Sequence, residues 1–396
     1  MQFTSSASAQ TETLENLLKV NSYVLENSNG TLSGKGMDFL MQASADAQFF
    51  VVAEPHNSKE VPEITGSLFK PLHQRHRFNY LALEQDPVMA QIVSDSSSFG
   101  NAAFVSSLAK KYPNAFTFIT DQEIEMISQA RTVSNGKANR IWGLDQVFGA
   151  IHVLDRLSKF APNADVRSRT LKLIEVLKQN EAEYSKKFER YTMAKIGEIA
   201  EFQNLLREYQ PKKNSEAEFI ISQTLLSGRI YKNNILADKE LTGYLSNYER
   251  EENMKSLFMR EYRKAQAAGE KLPKVLLKLG HNHTIRGLNW TNLPTLGNFV
   301  SEFAKSNDMN SFNLAVYVNN AAGDYGVLSS NPDLKTLAEA APKDKWTVID
   351  LRQIRKYVSA GKSTGTNTEM KRIIFGFDAI LVIGGGSRGT YKTVIG

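Results

Sequence analysis

Gln48-Phe49-Phe50-Val51-Val52-Ala53 runs straight into Glu54-Pro55-His56-Asn57, and Tyr80-Leu81-Ala82-Leu83 runs into Glu84-Gln85-Asp86-Pro87. Both apolar runs are short, rich in aromatic or branched side chains, and closed by a polar segment carrying proline. That combination reads as a buried strand ending in a loop. The same signal recurs at Ala115–Ile119, Arg140–Leu144, Val275–Leu279, Asn313–Val318, Trp346–Leu351 and Asp378–Ile383. Several runs are apolar on both faces, as strands covered on both sides by helices are. Helical stretches such as Glu60–Arg77 and Asn101–Lys111 lie between them. The alternation predicts an α/β fold with a mostly parallel sheet flanked by helices.

One region breaks the rhythm. From Asp165 to Gly269 strand signal is almost absent, and Arg167–Arg190, Glu216–Arg229 and Leu241–Ala268 read as amphipathic helices. Pro211-Lys212-Lys213-Asn214-Ser215 reads as a loop between two of them. The expected organisation is a flexible N-terminus over residues 1–20, a first part of the α/β core over 21–164, a large helical insertion forming a cleft wall over 165–270, and the rest of the core over 271–396. Ala7-Ser8-Ala9 has the small-x-small shape of a signal-peptidase site, without the apolar stretch that should precede it. It is read as the remnant of an export signal, which predicts a periplasmic or secreted bacterial protein. The alternative is an ordinary Ser/Ala terminus on a cytoplasmic one.

Composition narrows the chemistry. The 396 residues are 41% hydrophobic and 23% charged, which describes a folded globular chain. Lys and Arg number 48 against 42 Asp and Glu, a net charge of +6 that no like-charged run concentrates, so nucleic acid is not an expected partner. No run approaches 18 apolar residues, and no membrane span is expected. The absence of cysteine removes disulfides, thiol nucleophiles and Cys-ligated metal centres. Six histidines, the carboxylates and hydroxyl groups remain.

Those groups gather where strands end. The first run delivers Glu54 and His56 with Glu60 close behind, the second Glu84, the fourth Asp145-Gln146, and the fifth His281-Asn282-His283. In parallel α/β sheets, sites form at the carboxyl ends of strands, so these groups are expected to line one pocket. His56 is the candidate general base, because imidazole titrates near neutral pH. Glu54 and Glu84 would orient it, and His281 or His283 would polarise a carbonyl or stabilise an oxyanion. In an extended segment His281 and His283 face the same way. That spacing also suits a divalent metal held by His56, His281 and His283 with Asp145 or Glu84, which is the alternative to a cofactor-free site. His73, His76 and His152 fall in helical context and are read as structural. Gly384-Gly385-Gly386-Ser387-Arg388-Gly389 imitates a dinucleotide loop, but too few residues follow it to present a helix N-terminus. No Gly-x-Ser-x-Gly elbow occurs.

The ordered set Ala53-Glu54-Pro55-His56, Leu83-Glu84, Trp142-Gly143-Leu144-Asp145-Gln146, Arg250-Glu251-Glu252-Asn253-Met254, Gly280-His281-Asn282-His283 and Phe377–Ile383 resembles the erythromycin esterase-like family. The resemblance implies hydrolysis of an ester or lactone in a small molecule by activated water, without a covalent acyl-enzyme. It implies His56 as the water-activating histidine, with Glu54, Glu60 and Glu84 as acidic residues around it. His281 would be the second essential histidine, and Asp145 and Arg250 would line the cleft; Glu60 and, apart from the resemblance, His283 are expected beside the substrate. One residue between Glu54 and His56 is more like the related ChaN-type proteins, linked with haem or iron uptake. An exported protein binding haem or a metal is therefore the non-enzymatic alternative.

Overall fold

The computed structural model describes residues 10–95, 102–117, 119–133, 140–185, 193, 196, 200–319 and 327–392. The strands are β1 (Glu12–Thr13), β2 (Ser22–Ser28), β3 (Thr31–Ser33), β4 (Ala47–Glu54), β5 (Phe78–Leu83), β6 (Ile141–Gly143), β7 (Lys274–Gly280), β8 (Asn310–Asn319), β9 (Trp346–Asp350), β10 (Ser363–Thr364) and β11 (Ala379–Gly384). Helices flank them, and the α/β class holds. Two units divide the chain. One comprises Met1–Phe78, Leu276–Gly287 and Gly297–Thr390, the other Asn79–Val275, Leu288–Leu296 and Tyr391–Gly396.

In the first unit the strands follow the order β3-β2-β9-β11-β8-β4-β7. β4 pairs parallel with β8, and β8 with β11, as strands apolar on both faces should. β9, β2 and β3 extend the sheet antiparallel at one side. All eight residues of β4 are buried. The core beneath runs from Leu14, Leu17 and Leu18 through Ala315, Ile349 and Ile354 to Ile373, Phe377 and Ile380. His73 and His76 serve the main chain: Nδ1 of His73 meets the Phe78 carbonyl at 3.0 Å, and Nε2 of His76 meets that of Met41 at 3.1 Å.

β7 leads into a single helical turn, His281–Thr284, that is held from two sides. Asn313 Nδ2 donates to the Thr284 carbonyl at 2.9 Å. Gly297, in the helix Leu296–Ser306, lies so close that a Cβ there would sit 2.0 Å from the same oxygen. Gly297→Ala is therefore expected to force the turn and the helix apart. The expected cost is at least about 1–3 kcal/mol, the range for overpacking a well-filled site. Thermal unfolding checks this, and an unchanged melting temperature would show that the backbone yields freely.

In the second unit β5 and β6 pair parallel, Leu81 opposite Ile141 and Leu83 opposite Gly143. Asp86 organises the chain beyond β5. Its Oδ1 accepts from Val88 N at 2.8 Å and Met89 N at 3.0 Å, capping the helix Pro87–Asp95, which proline opens. Its Oδ2 accepts from Phe148 N at 3.0 Å and lies 2.9 Å from His152 Nε2, both side chains being buried. Ala115–Ile119, expected to be a strand, is irregular over its described residues. The Gln85 side chain explains this: it donates to the Thr117 carbonyl at 2.5 Å and accepts from Thr117 N at 3.1 Å, satisfying backbone that a neighbouring strand would otherwise pair.

The helices Ala164–Ser185, Ala200–Tyr209, Glu216–Ile235 and Gly243–Ala267 fall within the expected insertion. Their core does not stop at residue 165. Val88, Val147, Phe148, Val153 and Leu157 share one apolar cluster with Leu173, Leu177, Leu205, Ile220 and Tyr231. The helices are therefore continuous in packing with the segment before them. Among the described residues no helix is long and apolar enough to cross a membrane. The Ala7-Ser8-Ala9 reading lies outside the described residues.

Candidate functional site

In the first unit β4 ends at Glu54, because Pro55 has no N–H to continue a ladder. His56 comes next, and its Nδ1 lies 3.3 Å from Glu54 Oε1. A carboxylate only accepts, so Nδ1 is the protonated nitrogen of the neutral ring and Nε2 carries the lone pair. The other Glu54 oxygen, Oε2, meets Lys278 Nζ at 2.6 Å, with both side chains about 95% buried (4% and 5% exposed). Burial alone would raise the Glu54 carboxyl, but Lys278 and then His56 outweigh it and hold it below the usual carboxylate range. A buried carboxylate is thereby kept charged behind a half-exposed imidazole.

Lys278 is the residue that reading the sequence missed. The signal was present: it is the one charge inside Val275-Leu276-Leu277-Lys278-Leu279, and a charge in a strand with no wet face needs a partner.

His281 begins the helical turn after β7, with its ring stacked on Tyr317 at 4.7 Å and edge-on to Phe377 at 6.2 Å. Burial pushes its pKa down to about 4, with the His56 charge adding to the fall, while a hydrogen bond to the Val316 main chain and the Glu54 charge act the other way. His281 is therefore neutral at neutral pH. Its buried Nε2 has no hydrogen-bond partner among the described residues. The bond to the Val316 main chain favours the protonated ring, so the ring donates it, from Nδ1, and Nε2 is a bare acceptor. A neutral ring with its lone pair at Nε2 accepts hydrogen bonds there rather than donating them.

The shared face expected for His281 and His283 is corrected. The segment is helical, positions two apart on a helix do not face each other, and His283 is 4% exposed. Among the described residues no group of three His, Asp or Glu side chains is arranged to hold a metal ion. Glu60 is buried and accepts from Ser58 Oγ at 3.0 Å and from Ser387 N and Oγ at 2.8 Å each. The loop after β11, the sequence that imitates a dinucleotide motif, is bound there to the loop carrying His56. Glu60 fastens that loop with oxygens already committed to protein donors.

In the second unit, Arg250 on the helix Gly243–Ala267 donates to Asp145 through Nε at 2.8 Å and Nη2 at 2.5 Å, and to Glu84 Oε1 at 2.8 Å. Burial opposes its charge, but Asp145 and then Glu84 more than offset this and hold the guanidinium above its usual range. Asp145 is fully buried, Glu84 nearly so, and Arg250 remains about a quarter exposed at 24%. Three residues far apart in sequence are thus joined in one fork, while Gln85 and Asp86 beside Glu84 are occupied by the backbone.

The strand order, the buried carboxylate–histidine pair and the helix supplying Arg250 invite comparison with solved structures. The fold is similar to that of an erythromycin esterase. A histidine-to-asparagine mutant of EreC in its open conformation aligns at a TM-score of 0.58 and 13% identity, over 89% of this chain and 94% of that one. A succinoglycan biosynthesis protein aligns at 0.60 and 16% identity, over 95% and 97% of the two chains. A Bacillus cereus protein aligns at 0.58 and 18%, over 95% and 98%. These likenesses show a shared fold. No protein-family model and no curated protein sequence matches the chain.

Proposed function

We propose that the protein is a hydrolase that cleaves an ester or lactone in a small molecule by histidine-activated water. The observation that carries this reading is the row Lys278–Glu54–His56, beside a neutral His281 with a bare Nε2. In this reading His56 Nε2 takes a proton from water as the water oxygen attacks the carbonyl carbon. The ionised Glu54 stabilises the imidazolium through Nδ1–H. Collapse of the tetrahedral intermediate breaks the bond to the alcohol oxygen, which recovers the proton from His56. His281 Nε2 accepts the second water hydrogen or a substrate hydroxyl, and so orients the attack. The resemblance of the strand-end residues and the similar fold of an esterase support the substrate class. Export to the periplasm or beyond is retained on the Ala7-Ser8-Ala9 reading.

A panel of ester and lactone substrates, with and without chelator, tests the proposal, together with elemental analysis and a visible spectrum. Chelator-resistant turnover by a colourless protein is the expected result. A haem band, or stoichiometric metal without turnover, would replace it with the ChaN-type binding reading. Glu84→Gln keeps shape and removes charge from the Arg250 fork, and kcat/KM is expected to fall at least about tenfold, equal to about 1.4 kcal/mol. An untouched rate would make Glu84 a hydrogen-bonding group of the fold alone.

A further inference from the structure

The first unit holds a cavity at the end of its strands remote from His56 and His281. Its volume is about 790 Å³, within the range of pockets that take small organic molecules. It lies where β4 and β8 begin, where Asp378 precedes β11, and where antiparallel β9 ends in Asp350.

The basic side of the cavity carries three guanidiniums and two carboxylates. Arg286 is committed, to Asp378 at 2.7 Å through Nη1 and to Ser301 Oγ at 3.0 Å through Nε, and further to Ser311 and Asn313. Arg355 uses Nε on the Ile374 carbonyl and Nη2 on Phe377 and Asp378. Arg352 forks Asp350 through Nε at 2.8 Å and Nη2 at 3.0 Å. Nη1 of Arg352 and of Arg355 therefore keeps its donors unspent among the described residues, and this side carries one net positive charge.

The guanidinium of Arg352 lies 5.3 Å from the Phe39 ring centre and 5.6 Å from that of Phe312, which fixes its plane beside an apolar wall. Tyr23 extends that wall, stacked on Phe39 at 5.1 Å. Asp46 and Glu302 line the cavity as well, at the β4 side, about three strand spacings or ~14 Å from β9. Lys305, one turn on from Glu302, lines the cavity too, so the lining as a whole carries no net charge and favours a singly over a multiply charged anion.

We propose that this cavity binds an organic monocarboxylate with an apolar or aromatic body, its carboxylate on the free Nη1 donors of Arg352 and Arg355 and its body on Phe39 and Phe312. Phenylacetate is the probe, with inorganic phosphate and benzylamine as controls, read by calorimetry on the full chain. Saturable phenylacetate binding is expected, weakened at least tenfold in Arg352→Gln and unchanged in His56→Ala. Arg352 is 38% exposed but forks the buried Asp350, so the melting temperature of its variant is read alongside, in the absence of probe, to separate lost binding from lost fold. No saturable phenylacetate binding would overturn the proposal, as would phosphate or benzylamine binding more tightly. Binding that survives Arg352→Gln but is lost in His56→Ala would place the anion at the other end of the sheet, which also overturns it. None of these outcomes depends on whether the protein hydrolyses esters.

Discussion

Lys278→Met should weaken the first unit by about 3–5 kcal/mol at neutral pH, the usual cost of removing one partner from a buried ion pair. The lysine stem is replaced by a chain of similar shape, so little of this is lost packing. What remains is Glu54, still buried and no longer faced by an ammonium at 2.6 Å. The pH dependence identifies the cause. In the wild type the folded-state pKa of Glu54 is depressed, so its contribution is present above the unfolded value and lost as pH falls through the folded one. In the variant burial is unopposed by Lys278 and the folded pKa rises above the unfolded value. The sign then reverses, and protonation relieves the folded state as pH falls. The deficit should therefore be widest at neutral and mildly alkaline pH and narrow towards pH 4. Denaturant unfolding of both proteins across that window measures it. Equal deficits at every pH would mean the pair matters only as packing. Adding Glu54→Gln to Lys278→Met should recover part of the loss, because no charge is then left buried.

That pair also shows how far the chain is legible from its residues alone. Gln48–Ala53 is legible because every residue after Gln48 is apolar and the strand is covered on both faces. Ser22–Ser28 is equally a strand and is not legible: as Ser-Tyr-Val-Leu-Glu-Asn-Ser it buries only Leu25, so neither run nor alternation marks it. Ala115–Ile119 fails in the opposite sense, apolar enough for a strand but claimed by the Gln85 side chain. At the site, Glu54, His56 and His281 are legible as polar groups closing apolar runs. The role of His281 is not, because whether Nε2 donates or accepts depends on the Val316 main chain, contributed by another strand. Arg250 could be found only through the resemblance. Nothing local distinguishes it from its charged neighbours Glu249, Glu251 and Glu252, and its binding to Glu84 and Asp145 is a long-range fact.

His56→Ala is expected to lower turnover of the best ester or lactone substrate by about 10²–10⁴-fold, the span attributable to a positioned general base. The fold should survive it. His56 is 30% exposed, stands beyond the end of β4, and leaves behind a Glu54 that Lys278 still neutralises. This separates the two residues of the row: losing Lys278 is a stability defect that can lower activity indirectly, whereas losing His56 is a chemical defect in a protein of wild-type melting temperature. The substrate KM should change little, since a base that acts on water contributes mainly to the transition state. Wild-type turnover that falls less than threefold in His56→Ala would remove His56 from the proton transfer. His281→Ala would then be the decisive comparison, because its Nε2 has no hydrogen-bond partner among the described residues, and its pKa of about 4 makes it a weaker base but one that is never protonated at neutral pH. If His56 is the base, His281→Ala should reduce turnover by a smaller factor and leave the acid limb of the pH–rate profile in place. If His281 is the base, that limb should lie near pH 4 in the wild type.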